Sequence, residues 1–561
     1  MTWYVGVTRV TIVNVNLWWT RPATALGVVA ACTLALTACG GDGDSDAARA
    51  ARAFAGALAG QDAQVAADLT TSPTQASEAL GETFAGMHPK TVDAKVLKTI
   101  EYTDGTASFT LQTTWHWSDD RSFESKTSGS VRRLSSGWKV QWEPGLLHSG
   151  MPVDGHLQMV RTDATPAPTV RSATGKTFMQ MEPVNQIVID PAATKNVRKS
   201  VNELAAAIKP IAPLVTASVI NDKLVAAQGG EVIAVTLRDP DMKVLASDPS
   251  RIKGVSVRTT GELVMSDRRL SSPLSAGLTN YWQAIRDATA GWQVQLAVPG
   301  AKPSRLAGEQ GKPGPDVMST VNMNEQLTLG DTVVEVAQPA TMMTLDARSG
   351  AIRAMAQNSA AAERKITADV AYPTGSTLDP VFSSIDENTD TGQGDQPAKQ
   401  QMHALGLGLS YTVPGVAAPR AGSGRPKVAT AAFHPQNFSA SMLSMGALGV
   451  SLARSADGTD SSVAPFVIKG AESKVSGGEL GAFDPQVAKQ IVAAMRTTAR
   501  TGDASDLTGA PGLYALVGTN GPQGPGWFVG VTGNTVMVIY CEGEKSGTAA
   551  LQVAQKYFRT R

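Results

Sequence analysis

Ser376 is followed three residues on by Asp379, in the run Ser376-Thr377-Leu378-Asp379-Pro380. On a helix that spacing puts both side chains on one face. A serine becomes a nucleophile only when a group beside it takes the hydroxyl proton. Asp379 is poorly suited to that work, because an unperturbed aspartate titrates near pH ~3.9 and is a weak base at neutral pH. A carboxylate also supplies no cation to steady an alkoxide, and a missing base costs roughly 10²–10⁴-fold in rate. The pair therefore describes either a rearranged serine enzyme or a serine without a working base. Ser376 also suits a helix N-cap, a place that serine takes without any catalysis.

Other chemistries have little footing. The histidines His88, His116, His148, His156, His403 and His434 are scattered without metal-ligand spacing, so neither metal nor cofactor is expected. No Gly-x-x-x-x-Gly-Lys-Ser/Thr loop occurs, and residues 308–312 read as a linker. Lys+Arg and Asp+Glu both number 49, with no long single-sign run, which gives no electrostatic reason for a nucleic-acid partner. A chain of 561 residues is too long for one core, so two to four domains are expected. A hydrophobic fraction of 42% and a charged fraction of 17% suit soluble globular domains.

The N-terminal segment reads as a targeting signal. Arg21 precedes an apolar run over residues 23–38, about the length of a signal h-region and short for a spanning helix. The run ends Leu36-Thr37-Ala38-Cys39, followed by Gly40-Gly41-Asp42. This resembles the lipobox of bacterial lipoproteins. The resemblance implies cleavage before Cys39, lipidation of Cys39, and anchoring on the extracytoplasmic face of the cell membrane, each buried CH₂ contributing about 0.8 kcal/mol. Residues 1–20, with Trp3, Trp18 and Trp19, lie upstream of the positive region and look like a misplaced start codon. Cys39 and the distant Cys541 do not form a disulfide framework, and Cys541 reads as a small buried hydrophobe on a strand.

Three modules must then position Ser376. The expected boundaries are a signal peptide over 1–39, a tether over 40–46, and domains over 47–148, 149–312 and 313–561. In the first domain, residues 47–60 predict an Ala-rich helix with Phe54 and Leu58 on one face. Phe109, Leu111, Thr113, Trp115 and Trp117 alternate along one strand, and Trp138, Val140 and Trp142 along another. The closing Gly137-Trp138-Lys139-Val140-Gln141-Trp142-Glu143-Pro144 resembles the end of the nuclear-transport-factor-like N-terminal domain of methicillin-resistance-type penicillin-binding proteins. Ala53-Phe54-Ala55 and Ala67-Asp68-Leu69-Thr70 fit the same domain, which the resemblance implies is a spacer from the membrane.

In the second domain, Ile187-Val188-Ile189 predicts a strand. Val197, Val201, Leu204 and Ile208 predict a helix, and residues 232–237 a buried strand. The order resembles the pedestal, or dimerisation domain, of class B penicillin-binding proteins, whose hallmark Arg-Gly-x-Ile-x-Asp-Arg-x-Gly is absent. Residues 169–176 are the nearest remnant.

Residues 315–561 resemble the transpeptidase domain of the same family, through five motifs in order. These are Val317-Met318-Ser319-Thr320-Val321-Asn322 with Glu325-Gln326; the hairpin Met342-Met343-Thr344-Leu345-Asp346 to Ala351-Ile352-Arg353-Ala354-Met355-Ala356; the turn Tyr372-Pro373-Thr374-Gly375-Ser376-Thr377; the helix start around Ser439-Ala440-Ser441-Met442; and a terminal hairpin from Trp527-Phe528 to Cys541. A final helix carries Leu551, Ala554 and Phe558 on one face. The fold implied is multidomain α+β: a small α+β cone, an irregular pedestal, and a β-lactamase-like α/β domain with an antiparallel sheet and helices.

The resemblance also says which chemistry is missing. The family's Ser-x-x-Lys reads Ser376-Thr377-Leu378-Asp379 here. No Ser-x-Asn occurs between Ser376 and Gly518, and residues 382–400 read as a loop or a deletion. The Lys-Thr-Gly strand falls on Gly518-Thr519-Asn520-Gly521, with Pro522 where an oxyanion N–H is needed, and proline has none to give. One lost oxyanion donor costs about 2.7–4 kcal/mol. Arg500-Thr501-Gly502 spells a similar motif but reads as the solvated end of a helix. The function expected is a membrane-anchored penicillin-binding-protein-like pseudo-enzyme of peptidoglycan synthesis, a scaffold or stem-peptide binder. The alternative is an active D,D-transpeptidase or carboxypeptidase acylated at Ser376. The partners implied are peptidoglycan stem peptide and cell-wall synthesis or division proteins, and a dimer is an arrangement that the resemblance allows.

Overall fold

The computed structural model describes residues 45–388, 396–416, 437–519, 521 and 524–560. The Leu36-Thr37-Ala38-Cys39 run, Asn520 and Pro522 lie outside them. Among the described residues, no helix is long and apolar enough to cross a membrane. The architecture is mixed α+β over several sheets. The described residues gather into two compact units, one of residues 45–78, 92–114 and 124–150, the other of residues 79–91, 115–123 and 151 onward.

In the first unit, Ser45 caps α1 (Asp46–Ala59) by accepting from the Ala48 N–H, and α1 buries Phe54 and Leu58 as their spacing predicts. After α2 (Ala63–Asp68) and α3 (Pro73–Met87) comes a sheet in the order β1 (Thr91–Glu101), β2 (Thr106–Ser118), β3 (Arg121–Leu134), β4 (Gly137–Val140). Phe109, Leu111 and Thr113 are buried at alternate positions of β2, the signature of a sheet with one covered face. The Val140 N–H donates to the Leu69 carbonyl at 2.9 Å, which ties the end of α2 to β4.

From residue 151 onward the second unit carries β5 (His156–Thr162), β6 (Val170–Arg171) and β7 (Thr177–Ile189). Helices α4 (Val197–Ile208) and α5 (Ala217–Ala226) follow, then β8 (Val232–Arg238), the short α6 (Asp239–Met242) and β9 (Val255–Met265). Val201, Leu204 and Ile208 of α4 are buried against Ile187, Ile189 and Ala234. β8 buries only one face, and Ile233 is 43% exposed, because β8 lies at the edge of its sheet. α7 (Leu274–Ala288), β10 (Gly291–Ala297) and β11 (Ser304–Glu309) complete this stretch, β10 pairing with both β5 and β11. The supposed linker at 308–312 therefore begins inside β11: Gly308, at φ +92°, lies so near β10 that a Cβ would stand 2.1 Å from the Trp292 carbonyl oxygen.

From β12 (Val317–Met318) and α8 (Met323–Val333) the chain builds a five-stranded antiparallel sheet. Its strands are β13 (Ala340–Asp346), β14 (Ile352–Gln357), β19 (Tyr514–Thr519), β20 (Gly526–Thr532) and β21 (Thr535–Cys541), in the order β14-β13-β21-β20-β19. Between β14 and β19 run α9 (Ser359–Glu363), β15 (Tyr372–Pro373), α10 (Asp379–Asn388), α11 (Gln396–Ala404), β16 (Ser410–Thr412), β17 (Ser439–Ala440), α12 (Met442–Ala456), β18 (Lys474–Ser476) and α13 (Pro485–Arg500). α14 (Ser546–Thr560) closes the chain.

Val536, Val538 and Tyr540 join a core with Leu448, Leu452 and Ile491 on one side of the sheet. Met537, Ile539 and Cys541 join Leu329, Val553 and Phe558 on the other. Helices cover both faces, which is why β20 and β21 read as unbroken apolar runs where a half-exposed strand alternates. α12 lies close against this sheet: a Cβ on Gly449 would stand 2.5 Å from a Val536 methyl.

The expectation of a loop over 382–400 fails. α10 runs through residue 388, and α11 starts at residue 396. Val381, Phe382 and Ile385 of α10 and Met402 of α11 are buried, so a few apolar side chains at helical spacing suffice among polar neighbours.

Candidate functional site

The site is a serine turn laid against the edge strand β19. Tyr372 and Pro373 pair with Ala440 and Ser439 across β15 and β17. The next residue is fixed twice, since the Thr374 N–H and hydroxyl both donate to the Phe438 carbonyl, at 3.0 and 3.1 Å. The central sheet holds the turn from behind. Trp527 is fully buried on β20 and donates its indole N–H to the Pro373 carbonyl at 2.9 Å. Tyr540 lies against both Trp527 and Tyr372, with ring centroids 4.6 and 4.3 Å apart. Its burial, together with the Glu542 carboxylate that accepts from its hydroxyl, pushes the Tyr540 pKa far above its ordinary value. It is a packing residue and does not supply a proton at neutral pH. Gly375, at φ +51°, turns the chain into a 3₁₀ stretch over Gly375–Leu378, which passes into α10 at Asp379.

Ser376 projects from this turn, exposed. Its Oγ accepts from the Thr519 N–H at 3.3 Å and donates to the Thr519 carbonyl at 3.4 Å. Both contacts are at the long end for hydrogen bonds. They place the two sequence-predicted residues together across 143 positions of chain. Ser376 is not the N-cap: Thr374 holds that position without a side-chain cap bond, and the Ser376 hydroxyl reaches sideways to the strand.

Asp379 is exposed and opens α10, where a carboxylate gains about 0.3–1 kcal/mol from the helix dipole. Among the described residues, the partners of the Ser376 hydroxyl are the two backbone atoms of Thr519, and no titratable side chain is one of them. The arrangement holds the hydroxyl against the strand.

Thr519 donates its hydroxyl to the Gly521 carbonyl at 2.8 Å. Gly518 has a packing role that the motif comparison did not reveal. A Cβ there would lie 2.3 Å from the Thr377 nitrogen and 2.5 Å from its Cα. Thr377 itself is fully buried, and its hydroxyl has no hydrogen-bond partner among the described residues. No local sequence signal marks that orphan, because it follows from how closely the turn meets the strand. The sequence marks Trp527 only as part of a hairpin, and its indole N–H bond to Pro373 is an anchor with no sequence signal.

Arg500 ends α13 and Thr501 caps it, as expected for that look-alike motif. Cys541 is buried and free, and burial pushes its thiol up to about 12. No group of three His, Cys, Asp or Glu side chains among the described residues could hold a metal ion.

Residues 46–154 match the family described as the NTF2-like N-terminal transpeptidase domain. That match supports the resemblance of the first domain to a nuclear-transport-factor-like N-terminal domain and, at a coarse level, a penicillin-binding or transpeptidase-type protein of cell-wall synthesis. No curated protein matches the chain.

Proposed function

We propose that this is a lipid-anchored, penicillin-binding-protein-like component of peptidoglycan synthesis whose transpeptidase site does no acyl transfer, and that it acts as a scaffold or stem-peptide binder. One observation carries the reading. The Ser376 hydroxyl is engaged by the Thr519 backbone, and the residue one turn on is the exposed carboxylate Asp379. A serine nucleophile needs a base in reach and a stabilised oxyanion. Thr519 stands at the family's lysine position, and Pro522 removes an N–H where the motif alignment asks for one. The membrane anchor rests on Leu36-Thr37-Ala38-Cys39, and the separation into domains over 47–148, 149–312 and 313–561 belongs to the same reading.

Incubation of the protein with a fluorescent penicillin tests it, read by gel and intact mass beside an active homologue and a Ser376→Ala variant. The expected result is no covalent adduct from protein that circular dichroism shows to be folded. An adduct that disappears in Ser376→Ala makes the chain an active serine enzyme and overturns the proposal.

A further inference from the structure

Arg353 is the odd residue of the β13–β14 ladder. Thr344 stands opposite Ala354 and Leu345 opposite Ile352, so Arg353 has no partner across the strands. An extra residue of this kind bends its strand and re-aims its side chain, and such bulges are over-represented beside active sites. Arg353 lines a cavity of about 280 Å³ together with Asn322, Asn324, Glu325, Thr328 and Tyr557. All six side chains carry hydrogen-bonding atoms, whereas a small-molecule pocket is ordinarily lined mostly by apolar ones. The cavity lies among α8, β14 and α14, the helices whose Leu329 and Val553 cover one face of the central sheet. The serine turn packs on Trp527 and Tyr540, which belong to the other face.

The polar groups of this cavity do not satisfy one another. Glu325 is the third residue of α8, where a carboxylate normally accepts from the N-cap N–H. Here the Asn322 N–H donates to the Arg353 carbonyl at 2.7 Å instead, which takes that role from Glu325. The Glu325 side chain is 14% exposed. Its partners among the described residues are the Tyr557 hydroxyl at 3.4 Å and Arg353 Nε at 3.9 Å, the first at the limit for a hydrogen bond and the second beyond it. Arg353 directs Nη1 to the Asn534 carbonyl and the Thr535 hydroxyl, both at 3.2 Å, and its Nη2 has no partner among the described residues. Asn322 uses its side-chain oxygen on the Asn324 and Glu325 N–H groups, and its amide N–H₂ likewise has no described partner. The Thr328 hydroxyl donates to the Asn324 carbonyl at 3.2 Å and keeps its lone pairs. A mostly buried carboxylate held this loosely is costly unless a group inside the cavity bonds to it.

One carboxylate and one guanidinium leave the lining without net charge, so it favours neither an anion nor a cation. What fits must donate to Glu325 and Thr328 and accept from Asn322 and Arg353, and a hydroxyl does both. Several hydroxyls on one small frame meet these groups together. We propose that the cavity binds one ring of a neutral sugar, whose hydroxyls donate to the Glu325 carboxylate and accept from the Asn322 amide and Arg353 Nη2. The bulge that aims Arg353 and the cap that orients Asn322 fix both donors before the sugar arrives, which lowers the ordering cost of binding. The site uses neither Ser376 nor the strand beside it, so it stands whether or not that serine reacts.

Saturation-transfer nuclear magnetic resonance tests it, on the full chain in a detergent without a sugar headgroup. The probes are D-glucose and N-acetylglucosamine, with glycerol as the acyclic control. At least one of the two sugars should bind saturably in the millimolar range. Glu325→Gln keeps the side chain's size and removes the charge that strengthens its hydrogen bonds. Asn322→Asp keeps the helix cap, which Asp makes as well as Asn, and removes the amide donor. Each should weaken binding about tenfold or more, with unchanged circular dichroism showing that the variants fold. Ser376→Ala should bind as the wild type does, which separates this site from the serine turn. Neither sugar saturating by about 50 mM overturns the proposal. So does binding indifferent to both Glu325→Gln and Asn322→Asp, or glycerol binding as tightly as the better sugar.

Discussion

Gly518 sets how near the serine turn can lie to β19. With a Cβ 2.3 Å from the Thr377 nitrogen, Gly518→Ala forces backbone against backbone, and no flexible side chain is there to give way. We expect a loss of about 1–3 kcal/mol, the usual cost of overpacking, read from the urea midpoint. Faster amide exchange at Thr519 should accompany it as the Ser376 contact opens. An unchanged midpoint with unchanged exchange means that the turn and the strand are not packed as described. Sequence reasoning placed Gly518 among substrate-binding remnants, and it singled out Ser376 and Thr519 by their spacing within motifs. It could not see that these two residues hydrogen-bond each other, because the contact joins segments 143 positions apart and leaves no local periodic pattern.

Asn358 is the joint between elements that no motif announced. Its side-chain oxygen accepts from the Ala340 and Ala361 N–H groups at 3.1 and 3.0 Å. Its amide nitrogen donates to the Val333, Val336 and Gln338 carbonyls at 3.3, 3.2 and 2.7 Å. One buried side chain thus closes the end of α8, the start of β13 and the cap of α9. Asn358→Ala strands several of these groups away from water, each at roughly 1–3 kcal/mol, so a total loss of about 3 kcal/mol or more is expected from denaturant unfolding. Asn358→Asp should be at least as damaging, because a carboxylate cannot donate to three carbonyls. A loss below ~1 kcal/mol for Asn358→Ala means that water or a rearranged backbone replaces the side chain. Long elements were legible: α1, α4 and the β20–β21 hairpin follow from apolar period and turn residues. α10 and α11 were not, because each buries only a few apolar side chains among polar ones, beside a Gly-containing stretch that resembles a loop.

Across the second unit the hydrophobic core is continuous from residues 151–312 into the residues that follow. Val170, Phe178, Leu274, Leu278 and Trp282 belong to the same buried cluster as Met343, Leu345, Leu448 and Tyr540. Backbone and polar contacts follow the same path: β12 pairs in parallel with β6, the Gln326 amide donates to the Ser271 carbonyl at 2.7 Å, and the Ser272 hydroxyl donates to the Met355 carbonyl at 2.8 Å. Residue patterning tells which face of a helix is apolar but not what will cover it, so this continuity had no counterpart in the sequence. It has a consequence for cutting the chain. A fragment of residues 149–312 loses the covering of Phe178, Leu278 and Trp282, which are buried to 0%, 0% and 2% exposure. Fully burying side chains of this kind is worth about 1.5–3 kcal/mol each, so exposing three of them consumes much of the ~5–15 kcal/mol that a domain has in all. The fragment should therefore lack the near-ultraviolet signal of an ordered Trp282 and melt without a cooperative transition, while residues 151–561 together unfold as one. A cooperative melt from the isolated fragment would instead locate its stability in the cluster built on Ile187, Val201 and Leu204, and would make residues 149–312 a self-sufficient domain.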